Sequence, residues 1–173
     1  GPKGELSEAH SGQAVTLTLN DEIDISRGDI IVSKDNKKII NADQFAAHLI
    51  WMDLESMLPE RNYIFRFNNS FINGKITDLV HAININSYEE VASKSLNLND
   101  MAYCKVAINK MHGITSYKND NQLGSFIIID PYSNNTIGAG MIDHVLRRSS
   151  NISWHEMSVN KSTRSKLNEQ QPC

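Results

Sequence analysis

The chain has 173 residues, and its 40% hydrophobic content suffices for the packed core of one ordinary domain or two small ones. A formal net charge of −3 argues against a nucleic-acid partner, because nucleic-acid-binding proteins usually carry a basic excess. No apolar run approaches the roughly 18 residues that a membrane-spanning helix needs, so we expect no membrane partner either.

The first predicted elements are two strands within residues 13–32 that meet at a polar corner. Apolar and polar side chains alternate before the corner, with the two-residue period of a half-buried strand; the apolar positions are Val15, Leu17, Leu19, Ile23 and Ile25. In the corner, Ser26-Arg27-Gly28-Asp29, the glycine supplies a permissive backbone before the apolar sequence resumes. This pattern favours a β-barrel or sandwich over a helical domain.

A polar linker at residues 35–43 precedes six further predicted strands. These strands cover residues 44–53, 62–67, 71–85, 101–108, 125–130 and 136–146. The third is expected to bend near Gly74, and Leu96 and Leu98 are expected to plug the barrel interior. Regular strand spacing without a sustained helical period predicts a six-stranded antiparallel barrel over residues 44–147.

The remaining residues, 148–173, are rich in Ser, Asn, Lys and Gln, which predicts a linker or partly helical tail with Trp154 as its anchor. Cys104 and Cys173 have no neighbour at metal-binding or redox spacing, so we expect free thiols of a cytoplasmic protein. The start at Gly1-Pro2, without methionine, indicates a cleavage scar and a fragment of a longer protein.

No catalytic, nucleotide-binding or metal-binding residues are predicted. The six histidines are scattered and none is at the i, i+4 spacing of a helical metal site, which favours ordinary polar positions. Gly138-Ala139-Gly140 lacks the Lys-Ser/Thr pair and the strand-to-helix setting of a phosphate loop, so close backbone packing in a barrel wall is expected. Arg27-Gly28-Asp29 matches the integrin tripeptide, but a lone tripeptide is a weak signal.

Four blocks of sequence resemble the C-terminal half of the large, GTP-binding subunit of bacterial sulfate adenylyltransferase (ATP sulfurylase), of the translational GTPase superfamily. The blocks are AVTLTLNDEIDISRGDIIV at 14–32, FAAHLIWM at 45–52, LNLND at 96–100 and GSFIIIDPYSNNTIGAGMI at 124–142. The resemblance implies an all-β fold of elongation-factor-like barrels. Residues 1–34 would be the last strands of an incomplete first barrel, and residues 44–147 a complete second barrel.

The tail and a few departures refine the resemblance. Residues 147–173 are similar to the connector that, in fused bifunctional members, joins the second barrel to an adenylylsulfate kinase domain. Glu60-Arg61 stands where the family usually has Gly-Arg, and Ala102 where a glycine is common. Phe67 to Lys75 also match the family poorly, so the loop after Pro59 and the third strand are the least well matched parts.

The resemblance implies a parent enzyme that transfers the adenylyl group of ATP to sulfate, giving adenylylsulfate and pyrophosphate, driven by GTP hydrolysis with Mg²⁺. A separate small subunit would perform the sulfate chemistry and the parent's own GTPase domain the GTP chemistry. This segment would then be non-catalytic, hold no cofactor, and link the two, with Arg27 and Asp29 near the GTPase domain. Two alternatives stay open: a barrel pair that carries aminoacyl-tRNA, or a degenerate interaction module.

Overall fold

The computed structural model describes residues 4, 6–10, 12–85 and 87–146. Within these ranges the chain consists of strands, turns and irregular segments, and no helix there is long and apolar enough to cross a membrane. The predicted tail, with Trp154 and Cys173, lies outside the described residues.

Seven antiparallel strands form one sheet, and six of them close into a barrel. The strands are β1 (Ile40–Trp51), β2 (Asn62–Phe67), β3 (Ser70–Ile83), β4 (Glu90–Val91), β5 (Met101–Ile114), β6 (Ser125–Ile129) and β7 (Thr136–Val145). Their order is β2-β6-β7-β1-β5-β3-β4, and an additional pairing of β2 with β3 closes the ring. The predicted six-stranded barrel is therefore confirmed, with β4 as a two-residue addition to β3.

The strand bounds differ from the prediction mainly around β1 and β3. β1 begins at Ile40, inside the predicted linker, because Ile40 to Ala42 pair with the far end of a longer β5. The bend expected near Gly74 lies further on, at the register shifts between Ile76 and Asp78 and between Leu79 and His81. A local pattern does not show how far a partner strand extends, so both differences arise from pairing.

Aromatic rings from β1, β2 and β6 fill the barrel interior. Phe45 is fully buried, and its ring centroid lies 5.8 Å from that of Phe67 and 5.5 Å from that of Phe126. Burying each such side chain contributes about 1.5–3 kcal/mol. Gly140 leaves room for this cluster, since a Cβ there would lie 2.3 Å from Phe126 Cζ. The predicted close backbone packing is found at Gly138, where an added Cβ would lie 3.1 Å from Ile50 O, whereas Gly140 makes room for a side chain.

Of the two predicted plugs, one is correct. Leu96 is fully buried and its backbone accepts a hydrogen bond from the amide of Met57 at 2.8 Å. The prediction for Leu98 is wrong, since its side chain is 43% exposed. The hydrogen bond from Asn99 N to Trp51 O turns the chain back toward β1 immediately after Leu98.

The strands predicted within residues 13–32 do not form. Residues 12–39 contain no strand, and the apolar side chains of the alternating pattern are exposed, Leu17 at 65%. Neighbouring strands of the barrel pair with one another and not with this segment. An alternating sequence gains little from extension when no sheet receives its hydrogen bonds, which explains the difference.

Candidate domain-interface site

The polar corner at residues 26–29 is a closed turn. The amide of Asp29 donates to Ser26 O at 3.1 Å, and the amide of Ser26 donates to Asp29 Oδ2 at 2.8 Å. Gly28 has φ of 100°, in the region that favours glycine. The carboxylate of Asp29 therefore holds the turn together.

Gly28 also joins the corner to the barrel. Ser70 Oγ, at the start of β3, donates a hydrogen bond to Gly28 O at 3.2 Å. A Cβ on Gly28 would lie 2.4 Å from Ser70 Oγ. The side chain of Ile30 reaches β5, with its Cδ1 3.2 Å from the position of a Cβ on Gly113. The backbone of the corner, rather than a charged side chain, makes the contact.

His112 of β5 lies half-buried under the corner. Its ring centroid is 5.3 Å from that of Phe67. Burial lowers the pKa of His112, the charge of Lys110 lowers it further, and the carboxylate of Asp29 partly opposes both effects. The corner is therefore electrostatically coupled to the barrel wall on which it rests.

Arg27 and Asp29, the predicted domain-interface residues, are both exposed. Arg27 lines an open pocket of 370 Å³ with Ser70, Phe71 and Lys110, and it has no ion pair within the described residues. Asp29, in contrast, directs a carboxylate oxygen into the turn. The structure thus gives the two residues different environments: the Arg27 side chain is exposed, whereas Asp29 closes the turn.

A second polar cluster, which the sequence did not indicate, surrounds Tyr103 on the outside of the barrel. The Tyr103 ring lies 4.8 Å from that of His48 and 5.5 Å from that of His81. Its hydroxyl donates to Asp143 Oδ2 at 3.0 Å, and that oxygen lies 2.9 Å from His144 Nδ1. His48 and His81 are the direct cross-strand neighbours of Tyr103, so only the strand register reveals the cluster.

The electrostatics of this cluster keep Tyr103 protonated. Burial and the hydrogen bond to Asp143 raise the pKa of Tyr103 to about 12. The His144 ring, followed by the Tyr103 hydroxyl, lowers the pKa of Asp143. Among the described residues no group of three or more His, Cys, Asp or Glu side chains could hold a metal ion. The cluster is therefore a hydrogen-bonded network without an arrangement for metal binding.

The turn between β6 and β7 is built around Asp130, and its predicted hairpin chemistry is present. Asp130 Oδ2 accepts hydrogen bonds from the amides of Tyr132 and Ser133, at 3.2 and 2.8 Å. Arg61 Nη2 lies 3.1 Å from Asp130 Oδ1, joining the loop after β1 to this turn. The Ser133 amide is the largest of several contacts that lower the pKa of Asp130. These contacts stabilise two loops and engage both oxygens of the carboxylate.

Comparison with protein families gives a match to the GTP-eEF1A C-terminal domain-like family over residues 44–143, which is the barrel. Among solved structures, a Sup35 complex with GDP has a TM-score of 0.60 at 13% identity, covering 66% of this chain and 28% of that one. This likeness concerns the fold.

The curated relatives are longer proteins. The bifunctional enzyme NodQ of Rhizobium meliloti (strain 1021) is 43% identical over 98% of this chain and 26% of its own length. The bifunctional enzyme CysN/CysC of Xylella fastidiosa is 38% identical over 97% of this chain and 27% of its own. Sulfate adenylyltransferase subunit 1 of Alteromonas mediterranea is 42% identical over 81% of this chain and 30% of its own. The chain spans about a quarter of the length of the first two.

Proposed function

This chain belongs to the GTP-eEF1A C-terminal domain-like family, and on that premise we propose that it is the barrel region of a sulfate adenylyltransferase large subunit. The observation that carries the proposal is the 42% identity to a sulfate adenylyltransferase subunit 1, together with 43% identity to a bifunctional NodQ. The fold alone would not distinguish this role from that of a translation factor.

In the proposed parent, adenylyl transfer from ATP to sulfate yields adenylylsulfate and pyrophosphate, and GTP hydrolysis with Mg²⁺ drives this unfavourable step. The barrel supplies no reacting group to either reaction. It acts as a rigid body whose position relative to the GTPase domain changes with the bound nucleotide. The small catalytic subunit then receives that change through its contact with the large subunit. Because the proposed parent uses ATP and GTP, we propose that the complex is cytoplasmic.

The corner is the proposed contact with the GTPase domain. Arg27 is exposed and has no ion pair within the described residues, so its guanidinium is free to bind a carboxylate of a neighbouring domain. Asp29 contributes indirectly by closing the turn that presents Arg27. Loop residues placed on a rigid scaffold commonly perform this kind of recognition.

The native protein is proposed to be of the bifunctional type, with residues 148–173 leading to an adenylylsulfate kinase domain. The alignment with NodQ covers 98% of the chain and so includes most of this tail, whereas the alignment with subunit 1 of Alteromonas mediterranea covers 81%. This difference supports the assignment of residues 148–173 as the connector.

Binding experiments on the purified chain test the proposal. We expect no GTP binding by calorimetry and capture of the small sulfate adenylyltransferase subunit in a pulldown. Tight GTP binding would exclude the assignment, and a failure to capture the small subunit would favour the degenerate interaction module.

Binding of tRNA is the corresponding test of the translation-factor alternative. The fold is compatible with this alternative, whereas the acidic net charge of −3 argues against it. We expect tRNA not to bind at physiological salt, whereas tight binding that weakens steeply with salt would support the alternative.

A further inference from the structure

The outer wall of the barrel carries an apolar row that crosses four adjacent strands. Ile127 of β6 pairs with Ala139 of β7, Ala139 with Ile50 of β1, and Ile50 with Met101 of β5. All four side chains point outward and are only half-buried. Outward positions of a small antiparallel barrel are normally polar, so a row of four apolar cross-strand neighbours is a departure from that pattern.

The β3 side of the barrel carries ion pairs together with exposed apolar side chains, Phe71 at 63% and Val80 at 43%. Lys105 of β5 and Asp78 of β3 point outward and form an ion pair at 2.9 Å. Lys75 of β3 forms another with Glu60. The row is distinguished by having four consecutive cross-strand positions that are all apolar.

The row forms the floor of an open groove of 790 Å³. Arg66 of β2 also lines it, as do Tyr117 and Gln122 of the β5–β6 loop. His48 and Met141 lie beside the apolar row, and they are also direct cross-strand partners. A groove of this size accommodates several side chains of a peptide.

The chain leaves the barrel beside this groove. Leu146, the last described residue, donates its amide hydrogen to Gln44 O at 3.0 Å. Four residues earlier, Ile142 O accepts from the amide of Tyr117, which lines the groove, at 2.8 Å. Leu146 therefore lies only five residues after Met141, which lines the groove.

The composition of the following residues suits the groove. Ile152, Trp154, Met157 and Val159 are apolar within a polar sequence. From Leu146, eight residues of extended chain reach Trp154, a span of up to about 26 Å. Among the described residues, Arg66 is the one Lys, Arg, Asp or Glu side chain that lines the groove, and Glu156 is the one within the sequence of residues 152–159. The segment and the groove are thus opposite in charge.

We propose that the segment 152–159 docks in this groove of its own barrel, with Trp154 packed against Ala139 and Ile50. The covalent tether makes the contact intramolecular, with an effective concentration on the order of millimolar. Docking would fix where a domain attached to the tail stands relative to the barrel. This inference does not depend on the reaction assigned to the parent.

Quenching of tryptophan fluorescence by acrylamide tests the docking in the full chain. Trp51 is 2% exposed in the core, so quenchable emission comes from Trp154, and the variant Trp154→Phe measures the remainder. We expect Trp154 to be shielded, and Ala139→Asp to increase its quenching constant several-fold. Ala107→Asp is the matched control, since Ala107 is an outward, half-buried alanine of β5 that lies outside the groove.

Each outcome decides the proposal. Shielding that is lost in Ala139→Asp and kept in Ala107→Asp supports it, provided that circular dichroism shows both variants folded. If Ala139→Asp does not fold, Met141→Asp replaces it, because Met141 is 40% exposed. Full quenching of Trp154 in the unsubstituted chain would overturn the proposal. Shielding that disappears on dilution would also overturn it, because the groove would then bind a second copy.

Discussion

The barrel and residues 12–39 carry similar alternating sequences but have different structures. In β2, Tyr63, Phe65 and Phe67 alternate inward and are buried, because β3 and β6 pair with the strand on both sides. In the N-terminal segment, Val15, Leu17 and Leu19 alternate equally well and remain exposed. The comparison shows that a two-residue period indicates which side chains can share a face. Pairing with neighbouring strands then determines whether that face is buried.

Among the substitutions that test this comparison, Phe45→Ala should change the free energy of unfolding the most. Removing a fully buried ring that contacts Phe67 and Phe126 should lower the free energy of unfolding by about 3–5 kcal/mol, measured by denaturant titration. Leu17→Ala in the N-terminal segment should change it by less than about 0.5 kcal/mol, because the side chain is already exposed. A comparable loss in both variants would show that the segment packs like the barrel.

Alkaline pH should destabilise the barrel through Cys104. Burial and then the nearby charge of Asp78 raise the pKa of this thiol from 9.0 to about 12. The unfolded thiol ionises first, so its contribution to stability is complete below pH 9 and decreases as pH rises toward 12. Denaturant titrations across this pH range should show a smaller decrease in the free energy of unfolding for Cys104→Ala than for the unsubstituted protein. Equal pH dependence in the two proteins would contradict this explanation.

Gly28→Ala should weaken the contact between the corner and β3, with a moderate loss of local stability. The substitution combines a positive φ, worth about 1–3 kcal/mol, with the close approach to Ser70 Oγ. Gly12→Ala is the control, since Gly12 has φ of +86° and no atom within 4 Å of an added Cβ. Hydrogen exchange at the amide of Asp29 should accelerate more in Gly28→Ala. The same acceleration in both would mean that the corner does not rest on β3.

Ser70→Ala should have the smallest effect of this series. It removes one hydrogen bond to Gly28 O, worth about 0.5–1.5 kcal/mol of local stability. Because it also removes the oxygen that a Cβ at position 28 would meet, combining it with Gly28→Ala should give a less than additive change in amide exchange. Strictly additive changes in amide exchange would show that Ser70 does not interact with the corner.

The sequence predicted the barrel well because its elements depend on local signals. β2 was predicted with its bounds, Asn62–Phe67, and the Asp130 turn with its chemistry. It did not predict the early start of β1, the cluster around Tyr103 or the apolar row through Ala139, since each depends on which residues become cross-strand neighbours. Arg27 was identified by its place in a corner, and its role as an interface residue is still a prediction.

The most direct test of the proposed coupling measures adenylylsulfate formed per GTP hydrolysed in the complete enzyme with Arg27→Ala. The account predicts that this ratio falls several-fold while the melting temperature changes little, because Arg27 is exposed and unpaired within the described residues. Lys34→Ala, which removes another exposed cation of the same segment, should leave the ratio unchanged. An unchanged ratio in Arg27→Ala, with lowered stability, would contradict the account.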